Sequence, residues 1–241
     1  MNNVHYICTV NLILEIMVSN KSIQEQRMKG YFIQATKDIL KGEGLKGVSV
    51  RNIAQQAGYS YSTIYNYFKD VNDLVFVCIS DFQKECESFV AEQTKEKPQG
   101  IDRLKATVVS YVNYFLEYPG IFDLFYLAKV GDFGHKAATI DLINGSLDAV
   151  CEKEWNYCAS HGLVKVEEVE RIKAQLRYTV IGMLLLYLNR RFPSSYSEFM
   201  SQLTMQINAI LGNEEGTVKA VPDATQSSSL VQNSLISVNI R

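Results

Sequence analysis

The sequence predicts an all-α protein, in which an N-terminal three-helix domain with a helix-turn-helix precedes a C-terminal helical bundle. Apolar residues recur at helical spacing along most of the chain, and no alternating strand pattern with hairpin turns competes with them. The chain has 241 residues and only four prolines. The part that follows the N-terminal three-helix domain is therefore long enough to bury a core of its own.

Four segments are predicted from these patterns. Residues 1–20 form an N-terminal extension, and residues 21–71 form the helix-turn-helix domain, hereafter the head. Residues 72–212 form the helical domain for effector binding and dimerisation, hereafter the body. Residues 213–241 are rich in Ser, Thr, Gln and Val and are expected to form a disordered tail.

The helix-turn-helix prediction rests on capping residues and apolar spacing. The first short helix is predicted to begin after Ser49, an N-cap residue, and to end at Gly58, which tolerates positive φ. Ser60 is predicted to cap the second short helix, whose apolar face contains Ile64 and Phe68. In this geometry the second helix is free to enter a DNA major groove. On spacing alone, a solvated helical hairpin explains the pattern equally well.

Hydroxyl and amide side chains dominate the second helix. Such groups bond base edges and phosphates, and a tyrosine reaches a phosphate while its ring packs on sugar. The predicted DNA-binding residues are Ser49, Arg51, Ser60, Tyr61, Ser62, Thr63, Tyr65, Asn66, Tyr67 and Lys69.

The order of residues in this segment resembles the signature of the TetR family of bacterial one-component regulators, roughly I-A-x-x-A-G-V-S-x-x-T-L-Y-x-H-F-x-x-K-x-x-L. The matching residues are Ile53, Ala54, Ala57, Gly58, Ser60, Thr63, Tyr65, Phe68 and Leu74. Upstream, Ala35, Ile39, Leu40 and Gly44 resemble the first helix of the family and its exit. The resemblance implies that Tyr65 contacts phosphate, and that residues 61–63 and 66–67 face the DNA.

Two positions depart from the signature. Tyr67 stands where His is usual, and Val71 stands where a Lys often touches the DNA backbone. Loss of that Lys removes one phosphate contact and lowers the salt dependence of binding by about one counterion. Lys69 is a candidate replacement.

The head is basic and the rest of the chain is acidic. Residues 21–71 contain eight basic and four acidic residues, a net +4 against −2 for the whole chain, which leaves −6 elsewhere. A basic head on an acidic body is expected of a DNA-binding protein, although an uneven solvated surface gives the same tally. The basic residues are Lys21, Arg27, Lys29, Lys37, Lys41, Lys46, Arg51 and Lys69.

The body is predicted to contain helices at 72–94, 101–117, 119–130, 139–161, 166–191 and 196–211. Residues 179–188 are apolar on every side of their helix, which indicates burial on every side, and the stretch is too short to span a bilayer. With the amphipathic 196–211 helix, it predicts a four-helix interface between two copies, as the resemblance also implies. A core helix of a monomer is the alternative.

A dense aromatic stretch lies in the middle of the body. Such a stretch lines either an effector pocket or an ordinary core. The resemblance implies a pocket whose small-molecule effector shifts the spacing of two heads and releases DNA, but the effector itself cannot be identified from the residues. The candidate pocket residues are Tyr111, Tyr114, Phe115, Phe122, Phe125, Tyr126, Trp155 and Tyr178.

No catalytic or metal-binding motif is recognisable. The histidines at 5, 135 and 161 have no motif partner, and the five cysteines lack metal-ligand spacing. The sequence therefore predicts no enzyme activity, no metal and no cofactor. The cysteines are expected to be buried reduced thiols, with a redox sensor across a dimer as the alternative.

The N-terminal apolar run, residues 10–18, is a poor signal peptide, because no Lys or Arg precedes it and no small-residue cleavage site follows. We therefore expect a cytoplasmic protein without a membrane partner. Met17 is the expected natural start, because it stands just before a polar Ser-Asn-Lys segment typical of a short arm leading into the first helix. Residues 1–16 are then expected to be an over-extended gene prediction.

The leading functional hypothesis is a homodimeric transcriptional repressor that binds a pseudo-palindromic operator in double-stranded DNA and is released by a small-molecule effector. An architectural or cell-division protein of the same fold, acting through a protein partner, is the alternative. A helical enzyme with an incidental helix-turn-helix is the third hypothesis.

Overall fold

The computed structural model describes the backbone of residues 2–129 and 137–212 and, within these ranges, the side chains from residue 21 onward. Every regular element in these ranges is helical, so the all-α prediction is confirmed for them. The head contains α1 (Asn2–Glu43), a 3-10 turn (Leu45–Gly47), α2 (Val50–Ala57) and α3 (Tyr61–Ile64). The body contains α4 (Val71–Thr94), α5 (Ile101–Glu117), α6 (Pro119–Phe122), a π-helical turn (Asp123–Leu127), α7 (Ala137–Asn144), α8 (Ser146–Ser160), α9 (Val166–Leu188) and α10 (Tyr196–Leu211).

Two predicted helices of the body are interrupted. The helix expected at 119–130 passes into the π-helical turn, where the Ala128 N–H donates to the Asp123 carbonyl at 3.0 Å. The helix expected at 139–161 is divided into α7 and α8 at Gly145, a residue with low helix propensity. The helix expected at 166–191 ends at Leu188.

The N-terminal part of the backbone differs from the expected arm. Helix α1 runs without a break from Asn2 to Glu43, through the residues assigned to the extension. No Pro or Gly occurs between residues 2 and 29, so nothing in the sequence stops the helix there. The tail predicted at 213–241 lies outside the described residues.

The head and the body each bury an apolar cluster. The head cluster joins α1, α2, α3 and the start of α4, and it consists of Phe32, Ala35, Ile39, Ile53, Ala54, Ile64, Phe68 and Leu74. The body cluster is larger and includes Phe82, Tyr111, Phe115, Phe122 and Trp155. Ile33, Val48 and Val71 pack against both clusters, so the two cores are continuous at the start of α4.

A charged contact fastens α1 to α4. Lys37, which is almost fully buried, and Lys41 both donate to the Glu85 carboxylate, the latter at 3.1 Å. Burial raises the pKa of Glu85, but the two lysine hydrogen bonds outweigh it and hold the pKa below its ordinary value. The Lys41 ammonium also lies 4.9 Å from the centre of the Tyr118 ring.

The end of α1 also abuts the start of α6. A Cβ atom on Gly120 would lie 2.5 Å from the Leu40 carbonyl oxygen and 2.7 Å from that of Lys41. Only glycine permits this approach of two backbones. The α1–α6 contact and the lysine–glutamate contact together define the joint between head and body.

The cysteines whose side chains are described are buried and free, namely Cys78, Cys86, Cys151 and Cys158. Burial raises the pKa of Cys78 to about 12 and that of Cys158 to about 11. Thiols with such pKa values are poorly reactive at neutral pH. Within the described part of the chain, none of the helices has the length and apolar character needed to cross a bilayer.

Candidate nucleic-acid interface

The start of α2 is fixed by two side chains. The Ser49 hydroxyl accepts a hydrogen bond from the Asn52 N–H at 3.1 Å, and the Asn52 amide donates to the Gly47 carbonyl at 2.8 Å. Ser49, a predicted DNA contact, therefore serves as the helix cap that the sequence also predicted. Arg51 projects exposed from the first turn of the same helix.

The turn between α2 and α3 is a Schellman motif. Gly58 adopts φ 76° and ψ 27°, the left-handed conformation expected from the sequence. Its N–H donates to the Gln55 carbonyl at 3.2 Å, and the Tyr59 N–H donates to the Ala54 carbonyl at 2.9 Å. This geometry fixes the direction in which α3 leaves the turn.

Helix α3 is short, but its turns continue to Phe68. The N–H groups of Tyr67 and Phe68 both donate to the Ile64 carbonyl at 3.0 Å. Ser60 lies at the predicted N-cap position, yet its hydroxyl bonds the Ser62 and Thr63 hydroxyls, at 2.9 and 2.8 Å, and caps no N–H. These hydroxyls form one linked group at the entrance of α3.

The polar and aromatic side chains from 60 to 69 that are exposed or half-buried form one surface, which we call the recognition surface. Tyr61 and Tyr65 are 67% and 55% exposed. Tyr67 is half-buried, because the centre of its ring lies 6.2 Å from that of the Phe32 ring. The recognition surface consists of Ser60, Tyr61, Ser62, Thr63, Tyr65, Asn66, Tyr67 and Lys69.

An aromatic brace that the sequence analysis missed supports this surface. Tyr59 stacks on Tyr31 of α1, with ring centres 6.0 Å apart, and meets the Phe32 ring edge-on at 5.6 Å. Tyr59 stands at the Val position of the signature. Tyr31, one turn before Ala35 on α1, is the residue from which a contact with Tyr59 could have been predicted. The brace ties the turn before α3 to α1.

The positive charge available to DNA is smaller than the number of basic residues in the head sequence indicates. Lys37 and Lys41 both bond Glu85 on α4, so they stabilise the joint instead of facing a phosphate. A pairing between residues more than 40 positions apart leaves no mark in a local charge count. A single head therefore has few cations for DNA, which favours binding by two heads.

Most of the predicted pocket residues meet in the body core. Tyr111, Phe115 and Phe122 are fully buried, and Tyr114, Phe125 and Trp155 nearly so. The rings pack directly on one another, with Tyr111 and Phe115 centred 4.9 Å apart.

A buried polar chain runs through these rings. The Tyr111 hydroxyl bonds the Tyr126 hydroxyl and donates to Ser146 at 3.1 Å, and Ser146 donates to Gln83 at 2.6 Å. Burial raises the pKa of Tyr126 to about 12, so its hydroxyl stays protonated. This chain gives the aromatic core hydroxyl and amide groups that are able to form hydrogen bonds with a bound molecule.

Tyr178 is not part of this group. It lies on α9 and is 73% exposed in the single chain. The structure therefore places Tyr178 apart from the aromatic core, a position that the sequence did not show because a helix that is apolar on several faces does not reveal which face turns inward.

Comparison with known families decides the identity of the head. The model of the family described as bacterial regulatory proteins, tetR family, matches residues 32–78. Residues 32–78 therefore form a DNA-binding domain of the TetR family. The match covers α1 from Phe32, the helix-turn-helix and the first turns of α4. The protein is thus a DNA-binding transcriptional regulator.

Solved structures of TetR-family regulators share the fold over most of this chain at low identity. A regulator from Marinobacter aquaeolei VT8 has a TM-score of 0.57 at 16% identity, covering 79% of this chain and 96% of its own. FadR from Bacillus subtilis, solved in complex with stearoyl-CoA, has a TM-score of 0.59 at 15% identity, and the match covers 76% of this chain and 97% of FadR. A regulator from Mesorhizobium loti MAFF303099 has a TM-score of 0.59 at 18% identity, and the match covers 78% of this chain and 96% of that regulator. A search of functionally curated proteins found no match.

Changing Tyr65 to Phe is expected to weaken specific DNA binding about tenfold or more, because a hydrogen bond to a charged phosphate contributes about 1.5–3 kcal/mol. Helical content and oligomeric state should not change. Fluorescence anisotropy with operator DNA measures the affinity. Tyr196→Phe is the matched control, since Tyr196 is equally exposed at 55% but lies on α10. Equal affinities for wild type and Tyr65→Phe would refute the phosphate contact.

Changing Lys69 to Ala is expected to weaken binding to all DNA sequences alike. Each lost phosphate contact should flatten the slope of log affinity against log salt by about 0.9. Titrations at several salt concentrations give the slope, with Lys153→Ala on the exposed side of α8 as control. A slope that stays at the wild-type value in Lys69→Ala would remove Lys69 from the interface.

Proposed function

We propose that this regulator is a homodimeric repressor that binds a pseudo-palindromic operator and is released by a small-molecule effector. The observation that carries the proposal is the recognition surface: a rigid, exposed row of hydroxyl, amide and aromatic groups on a braced head. The residues proposed to contact DNA are those of the recognition surface together with Ser49 and Arg51. The protein acts in the cytoplasm, where its DNA target lies.

The dimer is supported by an apolar face of α9 and α10. In the single chain Tyr178, Leu185 and Met205 are exposed on these two helices, which pack on each other through Tyr187 and Phe199. Exposed large apolar side chains on adjacent helices mark an interaction surface. A second copy would cover them and complete a four-helix interface, and Tyr178 fits this interface better than a pocket.

Two-fold symmetry fits the DNA reading. A dimer presents two α3 helices to successive major grooves, about 34 Å apart, and so reads two inverted half-sites. The modest charge of one head makes the second head necessary for tight binding.

The effector is proposed to bind in the body among its aromatic side chains. The polar chain from Tyr126 through Tyr111 to Ser146 offers hydrogen-bonding groups there, and Tyr114, Phe115, Phe122, Phe125 and Trp155 offer apolar contact. FadR, which shares this fold, was solved in complex with stearoyl-CoA, and this supports a small-molecule effector for the present protein. Because the body is joined to α1 at Gly120 and Glu85, a ligand that moves α6 or α4 alters the head.

Selection from a library of random DNA duplexes tests the proposal. The full-length protein should enrich sequences with two inverted half-sites, centred about one helical turn apart. Enrichment should disappear with Tyr61→Ala, which removes the most exposed ring of the recognition surface. A wild-type pool that stays random after repeated rounds would contradict sequence-specific regulation and favour an architectural role.

A further inference from the structure

A cleft of about 700 Å³ separates the head from the body, outside the aromatic core. One wall, hereafter the head wall, is formed by the head segment from Glu43 to Val48 together with the start of α4, where Val71 and Val75 lie. The body wall is formed by Asp123 and by residues 127–129. The volume is in the range of small-molecule sites.

The body wall of the cleft is the π-helical turn. Both of its end residues, Asp123 and Leu127, line the cleft, and the Ala128 N–H closes the wide turn onto the Asp123 carbonyl. A π-helical turn is rare and is found disproportionately at functional sites. Here it brings a carboxylate and an apolar side chain, Leu127, 44% exposed, to the same wall.

The head wall of the cleft adjoins the helices that hold the recognition surface in place. Val48 and Val71 line the cleft and pack against both hydrophobic clusters. Val48 precedes the Ser49 cap of α2, and Val71 is the first residue of α4. A molecule seated between the two walls would therefore contact the residues that set the angle between head and body.

The charges around the cleft favour a cationic guest. Glu43 and Lys46 stand on the head side, and Asp123 and Lys129 on the body side. Asp123 is carried by the π-helical turn on a short side chain, so its carboxyl stays at the wall, and Lys46 attracts it from the opposite wall. An anionic guest would have to lie beside that fixed carboxylate, which is unfavourable.

The environment of Asp123 agrees with this preference. Burial raises the pKa of its carboxyl above the ordinary value, and the attraction of Lys46 offsets this only in part. A cation against the carboxylate would supply the missing compensation. It would also replace the attraction between Asp123 and Lys46, which acts across the cleft from body to head.

We propose that this cleft is a binding site for a small organic cation with an apolar portion, with Asp123 as its counter-ion and Val48, Val71, Val75 and Leu127 as its apolar contacts. As a control point for DNA binding, the site rests on the proposed function above. The binding event itself does not, because it involves only the DNA-free protein.

The test uses three probes with one apolar body and different charges: 4-phenylbutylamine, 4-phenylbutanol and 4-phenylbutyrate. Isothermal titration calorimetry on the full-length, DNA-free protein should rank the amine above the alcohol and the alcohol above the carboxylate. Asp123→Asn should weaken amine binding about tenfold, to the level of the alcohol, since one close charge pair is lost. Asp141→Asn, an equally conservative change at an exposed residue of α7, should leave it unchanged.

Leu127→Ala provides a second variant, which should weaken all three probes together, because it shortens the apolar wall without changing charge. The proposal is overturned by a carboxylate that binds as tightly as the amine, by amine binding that Asp123→Asn does not reduce, or by no binding of any probe at millimolar concentration. Because no DNA is present, these outcomes are independent of whether the library selection yields an operator.

Discussion

Gly120→Ala is expected to destabilise the protein by about 1–3 kcal/mol, because it forces extra volume into a packed contact. The new Cβ would lie 2.5 Å from the Leu40 carbonyl oxygen and 2.7 Å from that of Lys41. Both atoms belong to the α1 backbone, so the clash cannot be relieved by rotating a side chain. Either α6 or the end of α1 has to move, which loosens the joint between head and body. Urea unfolding followed by circular dichroism measures the loss.

Gly30→Ala is the matched control for this prediction. Gly30 lies exposed within α1, and a Cβ there meets nothing within 4 Å. Alanine should stabilise the helix by about 0.5–1 kcal/mol, since glycine is the poorer helix former. If Gly120→Ala were as stable as Gly30→Ala, the close approach of α1 and α6 would be excluded.

Leu185→Glu is expected to convert the dimer into monomers and to lower operator affinity by at least about a hundredfold, since an unpaired charge buried in an interface costs several kcal/mol. Leu185 lies in the apolar part of α9 that is exposed in the single chain. A monomer would have only one head on DNA and would lose the second half-site. Sedimentation velocity measures the mass, and anisotropy measures the affinity.

Val166→Glu controls for the introduced charge. Val166 is 71% exposed and begins α9, about 28 Å along the helix axis from Leu185, at an end where a carboxylate is well tolerated. It should leave mass and affinity unchanged. A Leu185→Glu protein that remained dimeric would show that α9 does not form the interface.

The parts of the fold that follow from local chemistry were predictable. Ser49 and Gly58 fix the two ends of α2 through capping and a left-handed backbone, and both are read directly from the residue type. Helices α5 and α10 have the predicted bounds, because Gly100 and Ser195 mark where they begin.

The parts that depend on distant contacts were not predictable. The pairing of Lys37 and Lys41 with Glu85 removes two cations from the apparent DNA face, and no local pattern shows it. The same holds for Gly120, whose neighbours are the carbonyls of α1. The position of Tyr178 on the exposed side of α9 was not predictable either, because periodicity identifies an apolar face without saying whether the chain itself or a second copy covers it.

The recognition surface was predicted as a set of residues, but not in its internal arrangement. The hydroxyl of Ser60 bonds those of Ser62 and Thr63 instead of capping α3, because the three hydroxyls meet at the same turn. The ring of Tyr67 packs against Phe32 of the head core. Both details decide which polar atoms remain free for DNA.

The measurement that tests the central claim most directly is anisotropy of full-length protein with labelled DNA from the library selection, against scrambled DNA of equal length. Titrations at two salt concentrations, with the stoichiometry read at saturation, separate sequence recognition from general attraction to phosphate. We predict tight binding of two protomers to the selected site and much weaker, strongly salt-dependent binding to the scrambled DNA. Equal affinity for both DNAs would contradict sequence-specific recognition by the 60–69 surface.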